Sequence, residues 1–114
     1  MKKVIDNLDV LKVLSKANKK LRCAIIRNGN CDLINALVEC VVNVLHGNVN
    51  LSEQDRKNLA KFRFQLRKLA KTVNLNDRKK LIVQYGGFLQ FILPAIISGI
   101  ASIVSSAISS NKSE

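Results

Sequence analysis

The sequence is poor in proline, histidine, aromatic residues and acids. It has one proline, one histidine, no tryptophan, four phenylalanines and one tyrosine. Proline removes a backbone donor and breaks helices, so a chain with only Pro94 is free to be helical almost throughout. The shortage of aromatics disfavours a β-sandwich and favours helices packed through Leu, Ile, Val and Ala. The lone histidine, His46, has no second histidine with which to build a metal site, and a Ser-His-Asp set is not plausible around it. It reads as a cation at a helix end. The only glycine pair, Gly86-Gly87, is not followed by Lys-Ser/Thr, so there is no phosphate-binding loop.

Cysteines are also few. Cys23, Cys31 and Cys40 form an odd set with no CxxC spacing. They read as small core hydrophobes in a reducing intracellular compartment rather than as a disulfide frame. The opening stretch "MKKVIDNLDVLKVL" has no uninterrupted apolar run, so no signal peptide is expected and the sequons at Asn50 and Asn111 read as chance matches. At 114 residues the chain forms one modest core, too shallow for a roomy catalytic pocket. With few acids, sitting mostly at helix starts, no enzyme and no cofactor are expected.

Positive charge is abundant. Lysine and arginine number 19 against 8 acids, a net +11. The excess is uneven: residues 1–50 carry 8 basic and 4 acidic groups, residues 51–87 carry 10 and 3, and residues 88–114 carry 1 and 1. A basic body joined to a neutral apolar tail suits nucleic acid or an anionic membrane as partner.

Apolar spacing predicts an all-α fold: a small basic bundle of four to five short helices over residues 1–85, then an apolar helix after a Gly-Gly hinge. Residues 7–17 and 18–28 read as helices, with a kink at Asn18 and a stop at Gly29. "CDLINALVECVVNVLH", residues 31–46, is the most apolar of the front helices and the expected core helix, closed by His46 and Gly47. Ser52 caps the next, which runs to about Lys71 with Leu59, Phe62, Leu66 and Leu69 as its apolar stripe. Asn76 or Asp77 caps "RKKLIVQY".

The helix over 52–71 is the best nucleic-acid candidate. Arg56, Lys57, Lys61, Arg63, Arg67, Lys68 and Lys71 occupy most of its circumference, and Arg78, Lys79 and Lys80 follow. Releasing counterions from duplex DNA favours such a face without base readout. Phe62 and Phe64 are the only aromatics nearby, and with Phe62 on the apolar stripe they argue against stacking of single strands. A solvated charged face is the competing interpretation.

Phe88 to Ile108 is 21 residues without a charge. As a helix it would extend about 32 Å, close to the roughly 30 Å of a bilayer core. Phe88, Leu89, Phe91, Ile92, Leu93, Ile96, Ile97, Ile100, Ile103 and Val104 would face lipid. Ser98, Ser102 and Ser106 recur four apart, a spacing that lets membrane helices approach closely. The alternatives are a core helix of the bundle and an oligomerisation element. Residues 111–114 are a polar end.

Near its end the sequence resembles a known group. "GGFLQFILPAIISGIASI" resembles the end of the adenovirus mu core protein precursor, where a basic segment meets a Gly-Gly pair and then a Leu/Ile/Pro/Ala-rich tail. More broadly, "LRCAII", "LINALVECVVNVLHGNV", "LRKLA" and "RKKLIVQYGGFL" look like the small virion core proteins of Maverick/Polinton elements and adintoviruses. That resemblance implies sequence-independent packaging of double-stranded DNA, residence in a virion and host nucleus, and cleavage after Gly86-Gly87 by an adenain-like protease. It makes capsid proteins, a membrane or a second copy the further partners. The chain departs from the adenovirus pattern at Gln84, where an aliphatic residue is preferred, and at Gln90, where proline stands. "LPAIISGI" is also similar to lytic peptides such as melittin, which would make the tail membrane-active.

Overall fold

The computed structural model describes the backbone of residues 2–112 and the side chains of residues 2–100. The fold is all-α. Its elements are α1 (Lys2–Asp6), α2 (Leu8–Lys16), α3 (Lys19–Asn28), α4 (Cys31–Leu45), α5 (Glu53–Ala60), α6 (Arg63–Lys71), α7 (Leu75–Tyr85), a 3-10 turn (Gly86–Phe88) and α8 (Leu89–Lys112).

Short polar side chains cap four of the helix starts. Asn18 Oδ1 accepts from Leu21 N–H at 2.9 Å, and Asn30 Oδ1 from Leu33 N–H at 2.9 Å. Ser52 Oγ accepts from Asp55 N–H at 3.1 Å, as the sequence predicts. Asn74, not Asn76 or Asp77, caps α7, accepting from Asp77 N–H at 3.1 Å. Each such cap contributes about 1 kcal/mol. Gly47, at φ 75, supplies the left-handed residue that follows α4. Gly29 stays extended at φ −70. It is glycine for room: a Cβ there would lie 2.9 Å from Leu33 Cδ2.

The expected single helix over 52–71 is two helices. Phe62 leaves helical geometry at φ −104, ψ 6. The break swings its ring onto the 3-10 turn, where it meets Phe88 edge-on at 6.2 Å and Phe91 at 6.5 Å. Such aromatic pairs add about 0.5–1.5 kcal/mol beyond the area they bury.

The apolar tail is not a separate segment. Phe88, Leu89, Ile92, Leu93, Ile96 and Ile100 are all buried, in one core cluster with Val4, Leu11, Leu14, Leu37 and Val41. α8 packs most extensively on α2 and also touches α4 and α5. Six of the residues expected to face lipid are therefore core, and Phe91 and Ile97 are half-buried against it. Ile103 and Val104 lie outside the residues whose side chains are described. Each buried side chain contributes about 1.5–3 kcal/mol, so these six together match a whole domain's net stability of about 5–15 kcal/mol. Residues 1–85 consequently share their core with α8 instead of holding one of their own.

Gly86 and Gly87 mark the junction of α7 and α8. The chain stays right-handed there, with Gly86 at φ −62, and the 3-10 turn joins α7 to α8. Gly86 is buried because the Arg22 side chain lies on it: a Cβ would stand 3.0 Å from Arg22 Nε. Gly87 lies under Phe62, with Cζ at 3.5 Å from a built Cβ, an ordinary contact. Arg22 is only 6% exposed and its Nε has no hydrogen-bond partner.

The cysteines diverge. Cys40 is a core residue, and burial pushes its thiol up to about 12. Cys23 is half-buried, and Cys31 is exposed, contrary to the expectation that all three pack inside.

Candidate nucleic-acid interface

The basic face is assembled by the break at Phe62. Leu59, Leu66 and Leu69 are 5%, 2% and 1% exposed, which anchors α5 and α6 to the core along one side. The opposite side turns outward. Arg56, Lys57, Lys61, Arg63, Arg67, Lys68 and Lys71 are all exposed. Among the described residues, none of these seven side chains is held by a hydrogen bond or an ion pair. No acid occurs between Arg56 and Lys71. The nearest acids serve helix starts: Glu53 and Asp55 lie in the first turn of α5, and Asp77 in that of α7. Spending the acids at N-termini leaves the outward face unneutralised.

Arg56, Arg63 and Arg67 rim a small cleft of about 280 Å³, floored by Val44, Leu45, Leu51 and Leu66. Lysines and one aromatic ring occupy the neighbouring arc. Phe64, Arg67, Lys68 and Lys71 are spaced i, i+3, i+4 and i+7, so they share one side of α6. Phe64 is 74% exposed. Helical spacing already sets it about 200° around the axis from Phe62, away from the apolar stripe.

The second basic run is built differently. Arg78 is half-buried, with Nε donating to Thr72 O at 2.6 Å and Nη1 donating to Asn35 Oδ1 at 2.6 Å. It ties α4 and the α6–α7 connection to α7. Lys79 Nζ donates to Arg27 O at 3.2 Å, satisfying a carbonyl in the last turn of α3. Lys80 is exposed. A groove of about 590 Å³ between α3 and α7 is lined by Arg27, Asn76, Lys79, Lys80, Val83 and Gln84. Sequence reasoning missed Arg27, which is 52 residues from Lys79 in the chain. The two runs thus form one free face and one partly committed groove.

Among the described residues no group of three or more His, Cys, Asp or Glu could hold a metal ion. The helix from Leu75 to Ile100 is long and apolar enough to cross a membrane by length and composition, but the burial of its apolar side accounts for that composition equally well. No family model, curated protein or solved structure matches this chain.

Proposed function

We propose that this chain is a non-enzymatic, sequence-independent DNA-binding protein of a virion core, helping to package or condense the genome of a virus or virus-like transposon. One observation carries the DNA-binding part: the outer face of α5–α6 presents seven cations with no acid among them and, among the described residues, no hydrogen-bond or ion-pair partner. A solvated face on an ordinary protein mixes both signs, which keeps it from attracting polyanions. A single-sign face gains from releasing counterions condensed on phosphates. The virion setting rests on the likeness of "RKKLIVQYGGFL" and its neighbours to Polinton and adintovirus core proteins. Burial of Phe88, Leu89, Ile92, Leu93, Ile96 and Ile100 in the bundle favours the DNA-binding reading over a bilayer-inserting one.

Fluorescence anisotropy with two unrelated 20-base-pair duplexes, at several salt concentrations, tests the proposal. Seven phosphate contacts give a slope of about −6 in log K against log salt. The two duplexes bind alike. Absence of binding at low salt, or a flat salt dependence, rejects it.

A further inference from the structure

We propose that Phe64 is a stacking point on this face, so that α5–α6 also takes unpaired nucleotides of single-stranded nucleic acid and holds them more specifically than it holds a duplex. The inference rests on the nucleic-acid reading above and deepens it.

Three of the four phenylalanines, Phe62, Phe88 and Phe91, pack on one another at the 3-10 turn. The fourth, Phe64, is 74% exposed and lies outside that group. Its neighbours on the face are Arg63, Arg67, Lys68 and Lys71, and no acid lies within reach along the helix. A ring surrounded by cations offers what a single strand needs: a flat apolar surface for a base and positive charge for the flanking phosphates. The guanidinium planes of Arg63 and Arg67 add further stacking surface. A duplex gains little from the ring, because its bases already stack on each other.

An anionic bilayer is the rival partner for a basic face with an exposed ring. Interfacial helices, however, bury a whole apolar face in the lipid. The apolar side of α6 is already used, with Leu66 and Leu69 at 2% and 1% exposure. One ring is a weak membrane anchor, and one ring is all that a base requires.

The full-length protein is titrated into labelled dT20 and into a 20-base-pair duplex at the same ionic strength, alongside vesicles of phosphatidylserine and phosphatidylcholine. Phe64→Ala is expected to weaken dT20 binding about five- to 150-fold and the duplex less than about twofold. Phe64→Leu keeps apolar area but has no ring, and behaves like Phe64→Ala. Phe64→Trp retains dT20 binding and, as the only tryptophan in the chain, loses fluorescence when the strand binds. Circular dichroism confirms that each variant folds. Three outcomes overturn the inference: an equal effect of Phe64→Ala on both DNAs, wild-type dT20 binding by Phe64→Leu, or loss of vesicle binding with dT20 untouched. Failure of the wild-type protein to bind either DNA at low salt removes the DNA-binding proposal itself, and this inference with it.

Discussion

Residues 56–71 and residues 78–80 carry the same kind of charge to different ends. In the first run the side chains are exposed and, among the described residues, meet no hydrogen-bond or ion-pair partner. In the second, Arg78 bridges Thr72 and Asn35, and Lys79 satisfies Arg27 O. A half-buried guanidinium that spends two of its five N–H donors inside the fold is less free to follow a phosphate than an exposed one without such bonds. Positive charge is therefore a poor guide to a polyanion site unless its internal partners are known.

The sharpest test of that contrast removes charge from the free run. Replacing Arg63, Arg67 and Lys68 together with glutamine is expected to lower duplex affinity by about two to three orders of magnitude near 0.1 M salt. It should also flatten the salt slope by about 3, and leave the melting temperature nearly unchanged. Arg78→Gln is the converse: a stability loss of about 1–3 kcal/mol in urea unfolding, with duplex affinity within about twofold. Should Arg78→Gln weaken DNA as strongly as a substitution in the free run, the distinction between the two runs collapses.

A similar contrast divides the glycine pair. Gly86→Ala sets a methyl 3.0 Å from Arg22 Nε, and overpacking of this kind costs about 1–3 kcal/mol. Gly87→Ala makes only ordinary contact with Phe62 and restricts the unfolded chain, so it is neutral or stabilises by up to about 1 kcal/mol. Thermal melts of the two variants separate a packed turn from a free hinge, which would treat both alike.

The smallest effect concerns Cys40. Its thiol is raised from 9.0 to about 12 by burial. Below pH 9 both folded and unfolded states keep the proton, and no stability depends on it. Above pH 9 the unfolded thiol ionises while the folded one does not, so stability falls as pH rises toward 12. Between pH 9 and 10 the wild type should lose on the order of 1 kcal/mol more than Cys40→Ala. At neutral pH a thiol reagent should label exposed Cys31 readily and Cys40 only on unfolding.

The all-α class and most of the elements were legible because they follow local rules. Ser52, Gly47 and the apolar spacing of residues 31–46 act within a turn or two of themselves. The division of the chain was not legible. A run without charges is what lipid and a small core both select, and only packing against α2 distinguishes them for Leu89, Ile92 and Ile96. The seven exposed cations could be named from sequence, since helical spacing places them opposite Leu59, Leu66 and Leu69. Their freedom from partners, and the commitment of Arg78 and Lys79, depend on contacts 43 and 52 residues away along the chain. Phe64 belongs with the legible residues, since it lies about 200° around the helix axis from the stripe position of Phe62. What the spacing does not reveal is the two-residue break at Lys61 and Phe62, which meets a turn more than 20 residues downstream.

That turn has a kinetic meaning of its own. Proteases bind their substrates as extended chain, and the bond after Gly87 lies within the 3-10 turn, with Arg22 on Gly86 and Phe62 on Gly87. An enzyme cutting there must wait for the turn to come undone. When reclosing is faster than cutting, the rate of cleavage counts the fraction of molecules that stand open. Anything that holds the folded chain more firmly would then slow the cut, making the glycine pair a clock for how tightly its own fold is held.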